Sequence, residues 1–260
     1  MRTLAHLSDL HIGIPAFDRA AEELARALCE QEIEHVVVTG DITHRGRTKE
    51  LERFRTTFAP LFEQNRITLV PGNHDRWNDD VTSEIMSERV DIVVGEGLYL
   101  VRADSSGPQN RTFFISHGSV DEEMIHDICV AFDRAPPQNL RALLLHHHVL
   151  PQPEEGFAER FAAFLGWPHV AELDLSQVLL THLRGRCDLV LHGHRHVPLA
   201  RTLHGQDTRP LHIYNAGSST ELGRVRIFRH FAGMLLGGPD WLDYSASGEN
   251  MYPTPRIVSK

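Results

Sequence analysis

Five short apolar segments of the chain each end in Asp, Asn or His side chains, and this repeated pattern limits how the chain can fold. The segments are residues 2–7, 35–39, 67–71, 141–145 and 188–191, and the polar clusters that follow them are 9–11, 40–41, 72–75, 146–148 and 193–196. Short apolar runs bounded by glycine, proline and polar residues are typical of buried strands. Where such strands run parallel, their carboxyl ends meet at the edge where open α/β sheets place their sites.

The stretches between the first three strands predict helices, and therefore βαβ units. Residues 17–31 carry apolar side chains at helical spacing, after Gly13 and Pro15 interrupt the chain. A second helix is expected to begin near Thr48 as its N-cap, with Leu51 where a full capping box needs Glu or Gln. A strand, a helix and a parallel strand in succession form one βαβ unit.

The second half of the chain changes to closely spaced short strands. Helices are expected at residues 80–88 and 121–132. Further strands are predicted at residues 92–94, 98–101, 112–115, 199–203, 211–214 and 222–231, with a turn at 215–219. Because turn residues separate these runs, we expect antiparallel or mixed additions to the parallel strands.

The domain organisation predicted from the sequence is one large domain over residues 1–236 and a short C-terminal tail over residues 237–260. Residues 149–185 lie between two of the polar strand ends and include a predicted helix at 173–183. Aromatic side chains at helical spacing in this segment favour core packing. The alternative is a cap insertion that walls the site or mediates a homodimer.

The charge and cysteine content of the chain exclude some classes of partner. The formal net charge is -9, and a strong sequence-independent grip on DNA or RNA needs Lys and Arg, so no stable nucleic-acid complex is expected. The three scattered cysteines favour buried thiols in a reducing compartment. The sequence contains neither a signal-peptide pattern nor a membrane-span length of apolar residues, which predicts a soluble cytoplasmic protein.

The polar strand ends offer seven side chains that can bind metal. These are Asp9, His11, Asp41, Asn73, His146, His194 and His196. Carboxylate and amide oxygens combined with imidazole nitrogens suit Mn, Fe or Zn. Seven donors are too many for one tetrahedral zinc but fit two metals about 3.5 Å apart that share a carboxylate. This arrangement serves in-line displacement at phosphorus, with a metal-activated hydroxide as the attacking group.

These motifs resemble those of the calcineurin-like metallophosphoesterase superfamily. The matching blocks, in chain order, are Asp9-x-His11, Gly40-Asp41, Gly72-Asn73-His74-Asp75, His146-His147 and Gly193-His194-x-His196. The resemblance extends from about Thr3 to Ser219, and the stretches HLSDLHIG and LHHHVLP are most similar to class III cyclic-nucleotide phosphodiesterases and glycerophosphodiesterases. It implies an α/β fold in the form of a four-layer αββα sandwich with mixed sheets.

The resemblance also implies roles for individual residues. One metal would be held by Asp9, His11, Asp41 and His196, and the other by Asp41, Asn73, His146 and His194, with Asp41 bridging. The substrate would contact Asn73, His74, His147 and His196. His74 would be the catalytic residue that donates a hydrogen bond or proton to the leaving oxygen. The alternative is that His74 only orients Asn73.

The sequence departs from the family pattern at two places. The usual Gly-Asp-x-x-Asp block ends in His44, which cannot stabilise a protonated His74 as a carboxylate would. Either another acid takes this role, or His74 works without such help. Aligning the end of the fourth block with the family pattern makes His146 the ligand and His147 a nearby or substrate-contacting residue. His148 then stands where a proline is usual.

Three functions are consistent with these observations. The first is hydrolysis of a small phosphodiester, such as 3′,5′-cyclic AMP or a related cyclic nucleotide. The second is a DNA-repair-type nuclease, which HLSDLHIG also resembles, although the acidic charge balance argues against it. The third is a non-catalytic scaffold on the same fold, although such relatives usually lose ligands that this chain retains.

Overall fold

Two mixed β-sheets form the centre of the molecule in a computed structural model that describes residues 1–95, 97–107, 117–150, 173–205 and 209–244. The first sheet has the strand order β11-β10-β1-β2-β3, and β12 pairs with β10. Its strands are β1 (Arg2–Leu7), β2 (His35–Thr39), β3 (Ile67–Val70), β10 (Arg224–Phe231), β11 (Met234–Leu235) and β12 (Asp240–Asp243). Strands β1, β2 and β3 are parallel, and β10 is antiparallel to β1.

The second sheet has the strand order β4-β5-β6-β7-β9-β8. Its strands are β4 (Val90–Gly95), β5 (Leu98–Ala103), β6 (Leu140–Leu144), β7 (Leu189–His192), β8 (Leu199–Leu203) and β9 (Leu211–Asn215). Strands β5, β6, β7 and β9 run parallel, whereas the edge strands β4 and β8 are antiparallel to their neighbours. The mixed sheets expected from the sequence are thus confirmed.

Helices cover the outer faces of both sheets. The helices are α1 (Pro15–Glu30), α2 (Thr48–Thr57), α3 (Ala59–Glu63), α4 (Thr82–Ile85), α5 (Glu122–Asp133), α6 (Ser176–Leu183) and α7 (Ser219–Leu222), with a 3-10 turn at His74–Arg76. Apolar residues of α1, α2 and α3 belong to one buried cluster with the first sheet. Residues of α5 and α6 belong to a second cluster with the second sheet.

The alternation of side chains along the second sheet separates these clusters. In β5, Leu98 and Leu100 face the core shared with the first sheet, whereas Tyr99 and Val101 face α5. The same alternation holds in β6 and β7, so each strand is buried on both faces. Strands buried on both faces read as continuous apolar runs, which is why they are recognisable in the sequence. The four-layer αββα arrangement is confirmed.

Several element boundaries differ from the sequence predictions for local reasons. Helix α1 begins at Pro15, because proline is well suited to the first helical position. The N-cap of α2 is Arg47, and Glu50 accepts hydrogen bonds from the backbone N–H groups of Arg45 (2.8 Å) and Arg47 (3.4 Å), so the prediction that Thr48 caps this helix was wrong.

Other boundaries shift where the backbone is left-handed or extended. The predicted helix at 80–88 is reduced to the single turn of α4, because Asp80 has φ 54° and Met86 is extended. Helix α6 begins three residues later than predicted, after Leu175 with φ 55°. The predicted strand at 112–115 and the aromatic part of the 149–185 segment lie outside the described residues. Among the described helices, none is long and apolar enough to cross a bilayer.

Candidate metal centre

All seven predicted metal donors come together at one end of the two sheets. Asp9 and His11 follow β1, Asp41 follows β2, and Asn73 follows β3. The other three come from the second sheet, where His146 follows β6, and His194 and His196 follow β7. The carboxyl ends of five parallel strands therefore bring the seven side chains together.

Three of these side chains form a first group of donors, Asp9, His11 and His196. The Nε2 atoms of His11 and His196 lie 3.0 Å apart, and His196 Nε2 lies 3.4 Å from Asp9 Oδ1. The backbone N–H of His194 donates to both carboxylate oxygens of Asp9, at 3.2 and 3.1 Å. The Asp9 carboxylate is therefore held in place by the chain segment that carries His196.

A second group of donors is made by Asn73, His146 and His194. Asn73 Oδ1 lies 3.1 Å from His146 Nε2 and 3.0 Å from His194 Nδ1. Asp41 lies between the two groups, with Oδ1 3.4 Å from His146 Nε2 and Oδ2 3.9 Å from His11 Nε2. Asp41 therefore lies within 4 Å of an imidazole of each group.

The backbone at this site adopts conformations that few residues other than glycine adopt. Positive φ angles are found at Asp9 (53°), His11 (47°), Asp41 (48°), His194 (75°) and His196 (53°). Asp and His enter the left-handed region more readily than most other non-glycine residues, but they do so in only a small minority of cases, and such backbone costs up to the order of 1–3 kcal/mol at each position. Its concentration at five of the seven donors indicates that the fold imposes the arrangement for a functional reason.

Glycines in the motifs permit close approach of the loops. A Cβ on Gly72 would lie 2.2 Å from the backbone N of Asp41, and a Cβ on Gly193 would lie 1.8 Å from Ser8 Oγ. Neither contact can be relieved by rotating a flexible side chain away, because backbone or tightly packed atoms are involved. The loops after β1, β2, β3 and β7 can therefore meet only with glycine at these positions.

Partners outside the cluster fix the orientation of two imidazoles. His146 Nδ1 lies 2.8 Å from the backbone carbonyl of Thr39, so Nδ1 carries a hydrogen and Nε2 is the ring nitrogen that faces the cluster. His196 Nδ1 lies 3.1 Å from Glu221 Oε1, which orients His196 in the same way. Metal-ligating histidines are commonly held by such partners.

Asp75 ties the loop after β2 to the loop after β3. Its buried carboxylate accepts hydrogen bonds from the backbone N–H groups of Ile42 (3.2 Å), Thr43 (2.8 Å) and Gly72 (2.8 Å). Burial, and then the neighbouring charge of Asp41, raise the pKa of Asp75 to about 6. Asp75 thus organises the loops without facing the donors.

The electrostatics of the cluster suit cations. Burial raises the pKa of Asp9, against the opposing effect of His196 and His146. Burial also acts to raise the pKa of Asp41, but the neighbouring imidazoles, His146 most of all, hold it well below its usual range. The pKa values of His146 and His196 rise to about 9, because nearby carboxylates outweigh the lowering effect of burial. The carboxylates of the cluster stabilise positive charge beside them, and the cluster offers oxygen and imidazole donors. These properties fit a pair of divalent cations.

His74 lies beside this cluster and is held by a backbone group. Its Nδ1 donates to the carbonyl oxygen of His44 at 2.9 Å, and its Nε2 lies 4.0 Å from Asp41 Oδ2. The ring packs against Trp77 in a tilted arrangement, with centroids 3.9 Å apart and an interplanar angle of 34°. The sequence left open whether another acid replaces the missing carboxylate or His74 works without such help; the structure places a neutral main-chain oxygen, that of His44, at Nδ1.

His147 is oriented by a serine that follows β5. Ser105 Oγ accepts hydrogen bonds from the backbone N–H groups of His146 (3.3 Å) and His147 (3.2 Å), and it lies 2.9 Å from His147 Nδ1. With both lone pairs engaged, the hydroxyl donates to Nδ1, which leaves the ring hydrogen of His147 on Nε2. His148 is buried and stacks on His194, with centroids 5.8 Å apart.

Two of the residues that shape the site were missed by sequence reasoning, although signals for them exist. Ser105 stands at a sixth polar strand end, two residues after the last residue of β5. Glu221 lies in α7, within the Ser-x-x-Glu pattern of a capping box that begins at Ser218. The prediction of a simple turn at 215–219 was wrong, because Ser218 caps a short helix there.

Comparison with protein families is consistent with this architecture. An αββα sandwich with clustered Asp, Asn and His donors at its strand ends is typical of metal-dependent phosphoester hydrolases. The chain matches the family model for calcineurin-like phosphoesterases over residues 2–198 and belongs to that family. No curated protein matches the chain significantly.

Solved structures share the fold at low sequence identity. A dimetal phosphatase from Danio rerio is 12% identical with a TM-score of 0.59, over 94% of this chain and 99% of that one. A purple acid phosphatase from yellow lupin seeds is 13% identical with a TM-score of 0.56, over 95% of this chain and 46% of that one. A protein from Thermus thermophilus is 12% identical with a TM-score of 0.54, over 94% of this chain and 99% of that one. These similarities establish the fold.

Proposed function

We propose that the protein is a binuclear-metal phosphodiesterase that hydrolyses a small phosphodiester, with 3′,5′-cyclic AMP or a related cyclic nucleotide as the substrate class. The observation that carries this proposal is the position of Asp41 between two groups of donors. Its two carboxylate oxygens face His146 Nε2 at 3.4 Å and His11 Nε2 at 3.9 Å. A carboxylate shared in this way can hold two cations close enough together for phosphoryl chemistry.

The proposed ligand sets follow the two groups of donors. Asp9, His11 and His196 would hold one cation, and Asn73, His146 and His194 the other. Asp41 would contribute to both. When bound, two such cations, Mn, Fe or Zn, supply positive charge that makes water a stronger acid and stabilises charge on the phosphoryl oxygens. The protein contributes a pre-organised set of donors, five of the seven buried, that needs little rearrangement.

His74 is the proposed proton donor to the leaving oxygen. Because its Nδ1–H is bonded to the His44 carbonyl, the nitrogen available for proton transfer is Nε2, on the side of Asp41. The close contact with Trp77, at 3.9 Å between centroids, limits rotation of the ring. A positioned imidazole typically contributes about 10²–10⁴-fold to a rate. A diester without a good leaving group has particular need of this donor.

Substrate binding is proposed for His147 and for the aromatic rings near His74. With its ring hydrogen on Nε2, His147 can donate a hydrogen bond to a phosphoryl oxygen, as can His74 through its own Nε2. His196 would lie beside the substrate as a cation ligand, because its Nδ1–H is already bonded to Glu221. Asn73 would contact the substrate from the opposite group. Trp77 and Phe17 are partly exposed beside His74 and His11, and they offer flat surfaces on which a nucleobase can stack.

The nuclease and scaffold alternatives have less support. The net charge of -9 disfavours extended contact with a phosphate backbone. All seven donors are retained and converge, which a non-catalytic scaffold does not need. No observation on the described residues favours either alternative over hydrolysis of a small diester.

The test is a substrate screen with chelator-treated protein reloaded with Mn²⁺. The substrates are bis(p-nitrophenyl) phosphate, cyclic AMP, a glycerophosphodiester and single-stranded DNA. We expect turnover of the small diesters, and none by the Asp41→Asn variant. Turnover of DNA alone would support the nuclease. Absence of any turnover by protein that holds two cations would support the scaffold.

A further inference from the structure

The short helix α7 joins the first and last ligand-bearing loops of the site. Ser219 forms two hydrogen bonds with Ser8, of 3.0 Å each, one from its N–H and one to its hydroxyl oxygen. The hydroxyl of Ser218 donates to the carbonyl oxygen of Asp9 at 2.9 Å, and the N–H of Ser218 donates to the carbonyl oxygen of His196 at 3.4 Å. Main-chain and serine hydroxyl groups thus fix the helix to both loops, without any contribution from the metal-donor side chains.

The same turn places the carboxylate of Glu221 on His196. In a capping box, the Glu at the third helical position bonds the N–H of the N-cap residue. Here the N-cap is Ser218, and its N–H is already bonded to the His196 carbonyl. Glu221 Oε1 instead accepts the Nδ1–H of His196 at 3.1 Å. The helix cap is therefore complete without the Glu221 side chain, which turns to the imidazole.

Stability of the fold does not account for the Glu221–His196 pair. The side chains are 24% and 35% exposed, and ion pairs with that much solvent contact contribute little to stability. By contrast, among the described residues the partner of His146 Nδ1 is a neutral carbonyl oxygen, that of Thr39. The Nδ1 of His196 thus bonds a charged carboxylate, whereas the Nδ1 of His146 bonds a neutral main-chain carbonyl.

We infer that Glu221 is a positioning residue that strengthens cation binding by the group of Asp9, His11 and His196. This inference rests on the proposed binuclear function. A carboxylate on Nδ1 fixes the tautomer and ring orientation of His196 and makes its Nε2 a stronger electron donor. Because α7 and its N-cap are also bonded to Ser8 and Asp9, the helix fixes the position of the Asp9 carboxylate relative to the His196 imidazole.

The test compares Mn²⁺ affinity among the wild type, Glu221→Ala and Glu221→Gln, by calorimetric titration of chelator-treated protein. We expect two binding events in the wild type. Glu221→Ala should weaken one of them by about 10- to 100-fold and leave the other within error, with a smaller loss in Glu221→Gln. Glu34→Gln is the matched control, because Glu34 is a partly exposed carboxylate that bonds Arg2 and Thr3 far from the cluster.

A second readout follows the imidazole itself. Nitrogen NMR of ¹⁵N-histidine protein loaded with Zn²⁺ should show His196 with its hydrogen on Nδ1, and a changed Nδ1 signal in Glu221→Ala. Two unaltered affinities in a folded Glu221→Ala protein would overturn the role of Glu221 while leaving the binuclear site intact. A wild-type protein that binds no cation would overturn the proposed function and this inference with it.

Discussion

Replacement of Asp41 by Asn is the perturbation that separates a metal-binding role of this residue from a structural one. Asn tolerates the left-handed backbone found at this position, where φ is 48°. Its carbonyl oxygen can still accept the backbone N–H of His74, which donates to Asp41 Oδ1 at 2.9 Å. What is lost is the negative charge shared by the two groups of donors. We therefore expect Asp41→Asn to fold and to bind cations poorly.

The magnitude of the effect follows from the burial of Asp41, which is 2% exposed. Removing one partner of a buried charge pair costs about 3–5 kcal/mol, or roughly two to four orders of magnitude in affinity. Mn²⁺ at about 100 times the wild-type Kd stabilises the protein by about 2.7 kcal/mol per site, or about 5 kcal/mol for two sites. At the same Mn²⁺ concentration, the weaker binding stabilises the variant by at most about 0.4 kcal/mol per site.

Thermal unfolding of chelator-treated protein with added Mn²⁺ measures this difference. For a chain of this size, the wild-type midpoint should rise by about 10–20 °C and that of Asp41→Asn by about 2–3 °C. Asp188→Asn is the matched control, because Asp188 is buried and paired with Arg141 at 2.9 Å, away from the site. It should lower the midpoint and retain the full Mn²⁺-dependent rise. An equal rise in Asp41→Asn and wild type would refute the bridging role.

Two further predictions concern close packing and protonation. Gly72→Ala places a Cβ 2.2 Å from the Asp41 backbone N, so we expect this variant to lose Mn²⁺ binding and to be less stable, as measured by calorimetry. Gly238→Ala is the control and should match the wild type, because a Cβ at position 238 has no atom within 4 Å. His35 is buried and bonded to Thr68, and burial, then Arg66, lower its pKa to about 4. The unfolded chain takes up this proton below about pH 6.5, and the folded protein does so only near pH 4. Metal-free wild type should thus lose about 2 kcal/mol more stability than His35→Gln between pH 7.5 and 5, measured by urea unfolding; equal losses would contradict the assignment.

The positions of the donors could be predicted from the sequence because they depend on local patterns. Strands buried on both faces appear in the sequence as continuous apolar runs. The residues after each run lie at the carboxyl end of the strand, where open α/β sheets place their sites. Asp9, Asp41 and His146 are recognisable for this reason, and the structure brings them within 4.8 Å of one another. Their roles as ligands remain proposals.

The partners of these donors could not be predicted because they come from distant parts of the chain. Glu221 is 25 residues from His196, and Ser105 is 42 residues from His147. Nothing in the spacing of either pair relates them, since their contact depends on how β9, α7 and β5 are placed in the folded protein. The His74 partner was missed for a different reason: it is a backbone oxygen, and any residue at position 44 supplies one.

The central claim is that the seven donors bind two cations around Asp41. Anomalous diffraction from crystals of Mn²⁺-loaded protein, recorded on both sides of the manganese edge, tests it most directly. We predict two peaks about 3.5–4 Å apart, one beside Asp9, His11 and His196 and one beside Asn73, His146 and His194, with Asp41 touching both. A single peak, or peaks that Asp41 does not touch, would contradict the claim.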